Sequence, residues 1–154
     1  MKKPLLISAC LLGIPCRYDG KGKAGVFGKK ELTLEAFLPQ LEEKYTLVPY
    51  CPEIYGGLPT PRIPSERVGD KVIGRDGRDV TAEYFRGAAY GLSLCQTLGI
   101  EVALTKAKSP ACGKGHIYDG THTGTLTLGN GVLADALMHA GITVFNEDEA
   151  DNLL

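Results

Sequence analysis

Four short apolar runs limit what this chain can fold into. They are Leu5-Leu6-Ile7-Ser8-Ala9, Leu47-Val48-Pro49-Tyr50, Glu101-Val102-Ala103-Leu104-Thr105 and Ile142-Thr143-Val144-Phe145. Each is short for a buried helix and the right size for a strand covered on both faces. They lie about 30 residues or more apart, and helical patterns fill the gaps, as crossovers between parallel strands require. Leu34, Phe37, Leu38 and Leu41 follow a candidate N-cap at Thr33. Tyr84, Ala88, Leu92 and Cys95 recur at i+4 and i+3 behind a candidate cap at Thr81, and Gly99 ends that stripe. Val132 to His139 forms a third helical stretch, opened by Gly129-Asn130-Gly131 and stopped by Gly141. The alternation predicts an α/β fold, three-layer and Rossmann-like, with a mostly parallel sheet of about four strands and right-handed crossovers. A length of 154 residues suits one domain over 1–154.

Local signals refine this. Pro39 sits awkwardly in the first helical pattern, so the helix is expected to start near Leu38 or to break there. Tyr18 to Lys23 reads as a loop, and Pro52 to Pro64, with four prolines and Gly56-Gly57, as irregular chain. Lys71 to Val80 resembles a hairpin around Asp76-Gly77. Gly120 to Asn130 is Gly/Thr-rich and shows no element.

The five cysteines, Cys10, Cys16, Cys51, Cys95 and Cys112, are an odd number with no secretion signal before them. Pro4, Gly13 and Pro15 make the N-terminus a poor signal peptide. A fully paired disulfide framework is excluded, and a reducing, cytoplasmic setting is expected. The net charge is −1, with no basic excess to suggest stable nucleic-acid binding. No apolar run approaches the ~18 residues of a membrane span. Nothing in the sequence indicates an oligomeric state.

Placement separates the cysteines. In open parallel sheets, the loops beyond the carboxyl ends of the strands line the ligand crevice. Cys10 ends the first expected strand, Cys51 ends the second, and Cys112 lies in the loop leaving the third. These three share one rim although each belongs to a different crossover. Cys95 lies on an apolar helix stripe that returns to the opposite rim, and reads as a core thiol. Cys16, six residues after Cys10, reads as a fourth ligand, a spectator or an inert thiol. Residues alone leave two readings of the trio: a metal or cluster site, or three buried side chains.

Ser8-Ala9-Cys10-Leu11-Leu12-Gly13, Cys16-Arg17-Tyr18-Asp19-Gly20, Cys51-Pro52-Glu53 with Gly56-Gly57-Leu58 and Pro61-Arg62, and Lys108-Ser109-Pro110-Ala111-Cys112-Gly113 together resemble the thiouracil desulfidase family. The likeness runs over nearly the whole chain. It implies a [4Fe–4S] cluster held by Cys10, Cys51 and Cys112, the trio that strand placement had separately grouped. It also implies non-redox removal of sulfur from a thiolated pyrimidine, with the thiocarbonyl sulfur binding the one iron left free by the protein. Glu53 and Ser109 match catalytic positions of the family; Cys16 is not carried over as a ligand.

Each side chain also has a plainer reading. Glu53 can be a salt-bridged surface carboxylate rather than a base for water. Ser109 can bond its own backbone before Pro110 rather than the substrate. Arg17, Arg62, Lys106 and Lys108 can be solvated charges rather than partners of a cluster, the substrate or a phosphate. Gly129-Asn130-Gly131 can be a tight turn rather than an anion site. His116, His122 and His139 show no metal-binding spacing. The competing functional readings are a non-catalytic zinc-binding or sulfur-carrier module using the same cysteines, and a thiol hydrolase pairing one cysteine with a histidine.

Overall fold

The computed structural model describes residues 1–22 and 25–154; Lys23, in the expected loop after Tyr18, lies outside the described residues. A four-stranded sheet organises the chain. Its strands are β1 (Lys3–Ser8), β2 (Tyr45–Tyr50), β5 (Val102–Thr105) and β8 (Thr143–Asn146), in the order β2-β1-β5-β8 with every pair parallel. Pro49 is tolerated in β2 because that strand is an edge, where a missing N–H breaks no central ladder.

The period-two pattern of the strands divides the core in two. Leu6, Ala103 and Val144 face α3 (Thr81–Leu98) and α4 (Val132–His139), meeting Tyr84, Ala88, Cys95, Leu133 and Leu137. Their sequence neighbours Leu5, Ile7 and Leu104 face the other way, toward Phe37 and Leu41 of α1 (Leu34–Lys44) and toward Ala150 and Leu153 of the C-terminal 3-10 helix Glu147–Leu153. Phe27 closes that second layer by stacking on Phe37, with ring centroids 4.5 Å apart. The result is helix, sheet, helix, as the alternating pattern predicts. None of the described helices is long and apolar enough to cross a membrane.

Several local expectations need correction. Helix α1 runs unbroken through Pro39, with the Thr33 hydroxyl accepting from the Ala36 amide at 3.3 Å. Pro39 lies on the exposed side, so water can satisfy the carbonyl that its ring leaves without a donor. Thr81 is the first residue of α3 and not its cap: its hydroxyl accepts from the Val72 amide at 2.9 Å, while Asp79 accepts the Thr81 amide. Pro52 to Tyr55 forms one helical turn, α2, because Pro52 suits a first helical position. The hairpin pairs β3 (Ser65–Val68) with β4 (Lys71–Gly74), and the Asp76-Gly77 turn closes only the single bridge Ile73–Asp79. The Gly/Thr-rich stretch supplies the turn and the second strand of another hairpin, β6 (His116–Tyr118) with β7 (Leu126–Leu128).

Two close approaches bring the smaller elements onto the frame. A Cβ on Gly87 of α3 would stand 1.9 Å from the Pro52 carbonyl, and one on Gly56 would stand 2.0 Å from the Glu83 carbonyl. Glycine at both places lets α2 lie directly on α3. The first amides of α4 are also committed. Val132 donates to Pro110 O, and Leu133 and Ala134 donate to Ala111 O. That helix start therefore clamps the Cys112 loop, and the anion reading of Gly129-Asn130-Gly131 gives way to the tight-turn one.

Candidate functional site

The carboxyl ends of β2, β1 and β5 are neighbours in the sheet, and each leads within a few residues to a cysteine. Cys10 lies in the 3-10 turn Ala9–Leu12 directly after β1, and Cys51 caps α2 directly after β2. Cys112 follows β5 in the loop held by α4. The Ser109 hydroxyl fixes that loop from the inside by accepting the Ala111 and Cys112 amides, both at 3.1 Å.

These ends surround a cavity of about 400 Å³. Cys10, Cys16, Cys51, Cys112, Glu53, Ser109, Arg17, Arg62 and Lys108 all line it, so every expected site residue reaches one place. Cys95 does not; it is fully buried in the core under α3 and α4, where burial pushes its thiol up to about 11. Cys16 is no distant spectator. It packs with Cys10 and Cys51, and the Cys51 thiol donates to its backbone carbonyl at 3.8 Å; its own thiol is pushed up to about 11, first by the Cys10 contact. The Cys51 thiol is raised by its bond to Cys16 and then by burial. The Cys112 thiol is raised by burial and then by the Glu53 carboxylate, against a lowering contact with Ser8.

All four thiols are buried and none forms a disulfide. Cys16, Cys51 and Cys112 resist ionisation until a countercharge arrives, and thiolates are ligands for soft metal centres. The donor chemistry therefore fits an iron–sulfur group. Among the described residues, no three His, Cys, Asp or Glu side chains are drawn together to hold a single metal ion. The thiols border a space rather than meet at a point.

Glu53, in the single turn of α2, is bonded to Arg62 at 2.9 Å, with both side chains largely buried. The same Arg62 nitrogen donates to Cys16 O at 3.0 Å, and the other terminal nitrogen to Pro59 O and Thr60 Oγ1. Arg62 thus ties the Cys16 loop to α2, with its terminal nitrogens engaged by the protein. The second Glu53 oxygen takes no hydrogen bond among the described residues. Ser109 shows the turn role and keeps one feature beyond it: two amides occupy its lone pairs, leaving the O–H to donate into the cavity.

The cavity also carries cationic groups. Arg17 stands 3.8 Å from Asp19 and faces the Tyr18 ring, and exposed Lys108 makes no ion pair among the described residues. Lys106 is anchored to Glu147 at 3.0 Å. Sequence reasoning missed Ser8, Glu66, Arg75, Tyr84 and Tyr118 as lining residues, and gave His122 no role. Ser8 had one usable signal, its place at a strand end two residues before Cys10. Glu66 and His122 had none, because they meet across a hairpin and a loop 56 positions apart.

The 2-thiouracil desulfurase family model matches residues 5–149. A Bacillus subtilis (strain 168) protein, the uncharacterized YbbK, is 36% identical over 160 aligned residues, covering 97% of this chain and 99% of that one. A solved structure, the [4Fe-4S]-dependent thiouracil desulfidase TudS, is 45% identical with a TM-score of 0.86, covering 99% of this chain and 95% of the other.

Proposed function

Since the chain belongs to the 2-thiouracil desulfurase family, we propose that it converts a thiolated uracil, as base, nucleoside or nucleotide, and water into the uracil and hydrogen sulfide without net redox change. One observation carries the reading: three neighbouring strand ends deliver Cys10, Cys51 and Cys112 to one cavity, beside Glu53 and Ser109. Those three cysteines would hold a [4Fe–4S] cluster, and residues 1–154 act as one domain. A reducing cytoplasm, which keeps the five thiols out of disulfides, suits this setting.

When bound, the cluster supplies an electrophilic, sulfur-seeking iron. The protein's share is acid–base work and positioning. Glu53, held through one oxygen by Arg62, uses the other to take a proton from the attacking water. Arg62 acts in this scheme by orienting Glu53. The Ser109 hydroxyl donates to the pyrimidine, its direction set by the two amides behind it. Arg17 and Lys108 stand where they can meet electron-rich edges of the substrate or an attached phosphate. Cys16 packs the floor beside the ligands.

Anaerobic purification followed by iron and sulfide analysis, coupled to an absorbance assay for thiouracil loss, tests the proposal. About four irons per chain, broad visible absorption and thiouracil turnover are expected. A colourless protein holding one zinc and inert toward thiouracil would overturn it.

A further inference from the structure

The cavity wall opposite the cysteine loops is built from β3 and the loop joining β6 to β7, and it contains a pair that the scheme above leaves idle. Glu66 of β3 is buried. Its Oε1 accepts the amides of Gly120 at 2.9 Å and His122 at 3.1 Å. Its Oε2 stands 3.5 Å from His122 Nδ1. That Nδ1 is buried and makes no hydrogen bond among the described residues, so its contact with Glu66 is one of charge and proximity. The backbone at His122 is left-handed, with φ +58°, a conformation L side chains seldom adopt without something holding them there. Here the carboxylate holds the loop through two amides and stands beside the ring.

A carboxylate beside Nδ1 favours the proton on that nitrogen. The ring's other nitrogen, Nε2, then presents a lone pair. It takes no hydrogen bond among the described residues, and the ring lines the cavity with Tyr118 and Gly124. The other two histidines are elsewhere: His116 is exposed on β6, and His139 bonds the Asp135 carbonyl at the end of α4. The remaining side-chain nitrogens lining the cavity, those of Arg17, Arg62, Arg75, Lys106 and Lys108, are donors only. A thiolated uracil presents both kinds of group: oxygen and sulfur acceptors, and between them the N3–H donor. The cavity is rich in cationic partners for the acceptors; for the donor, His122 Nε2 is its one neutral nitrogen acceptor, beside side-chain hydroxyls and the free Glu53 oxygen that the scheme above gives to water.

We propose that His122, oriented by Glu66, is a substrate-recognition residue whose Nε2 accepts the pyrimidine N3–H, the ring proton that flanks the thiocarbonyl. This rests on the desulfidase reading. It makes the site selective for pyrimidines that carry a proton at N3 over those that present a lone pair or an alkyl group there. Glu66 is a positioning residue that acts through His122.

The test uses the cluster-loaded enzyme with 2- or 4-thiouracil, whichever is turned over faster, and its N3-methyl analogue. In the wild type, methylation is expected to cost roughly 100-fold in kcat/KM, because a site built to pair a polar group rejects an analogue lacking it. His122→Leu is expected to raise KM for the unmethylated substrate about 10-fold or more and to shrink the methylation penalty to a few-fold. His122→Gln, which keeps an acceptor, is expected to recover part of the discrimination. A second readout needs neither turnover nor a variant. In wild-type protein labelled with [15N]histidine, His122 is expected in the Nδ1–H form, with its Nε2 resonance shifting on addition of uracil. A methylation penalty equal in wild type and His122→Leu, or an Nε2 resonance unmoved by saturating uracil, would overturn the inference while leaving the desulfidase reading intact. A wild-type enzyme inert toward both thiouracils would overturn that reading and this inference with it.

Discussion

Four buried thiols share the cavity, and replacing each with serine sorts them. Cys10→Ser, Cys51→Ser and Cys112→Ser are expected to lose bound iron and visible absorption, and Cys95→Ser to keep both. Cys16→Ser is expected to retain iron; if it too is stripped, four protein ligands enclose the cluster and the vacancy needed for substrate sulfur is gone. Glu53→Gln removes the proton acceptor while its shape and its contact with Arg62 persist. Iron content should hold while thiouracil turnover falls about 100-fold or more. The cysteines were legible in the chain because strand ends are marked by apolar runs and parallel sheets gather those ends on one side, whereas the role of Glu53 came with the family resemblance. The fit of Cys16 between Cys10 and Cys51 was not legible, since it depends on how a proline-turned loop folds back. The Glu66–His122 pair was equally hidden, because no periodicity links a charged residue in a short hairpin to a histidine in a Gly/Thr-rich loop.

At the scale of elements, helix and strand legibility followed burial. The strands of the central sheet are covered on both faces and read as apolar runs. By contrast, β7 is three residues long and exposed at every one, and β3 is Ser-Glu-Arg-Val, so neither reads as a buried apolar run. The seating of α2 on α3 gives a sharp expectation. Gly87→Ala would push the Pro52 carbonyl away, and Glu53 and Cys51 ride on the same turn. A loss of about 1–3 kcal/mol is expected in denaturant unfolding, accompanied by reduced turnover. Pro39 gives the opposite expectation. Its position is exposed and helical, and alanine would restore a missing N–H bond. Pro39→Ala should stabilise by about 1–3 kcal/mol, read as an increase of several degrees in Tm, with turnover unchanged.

At the scale of the whole molecule, the sheet is a frame for the cavity, and its four cysteines differ from Cys95 in what protects them. Cys95 is covered by the core, whereas the others border a space. Removing iron with a chelator should therefore let iodoacetamide modify Cys10, Cys16, Cys51 and Cys112 well before Cys95, as mass spectrometry of the peptides would show. Early labelling of Cys95 would mean that chelation had unfolded the core. Strand order was beyond the sequence, because four similar apolar runs carry no label for their neighbours; yet that order, with β1 between β2 and β5, sets three cysteines side by side. It also sets a schedule for manufacture. Cys112 comes about a hundred residues after Cys10, and its loop is clasped by a helix that begins only at Val132. A ribosome must release the helix opened by Val132 before the last thiol reaches its seat, so iron delivery comes only after that helix has emerged and folded.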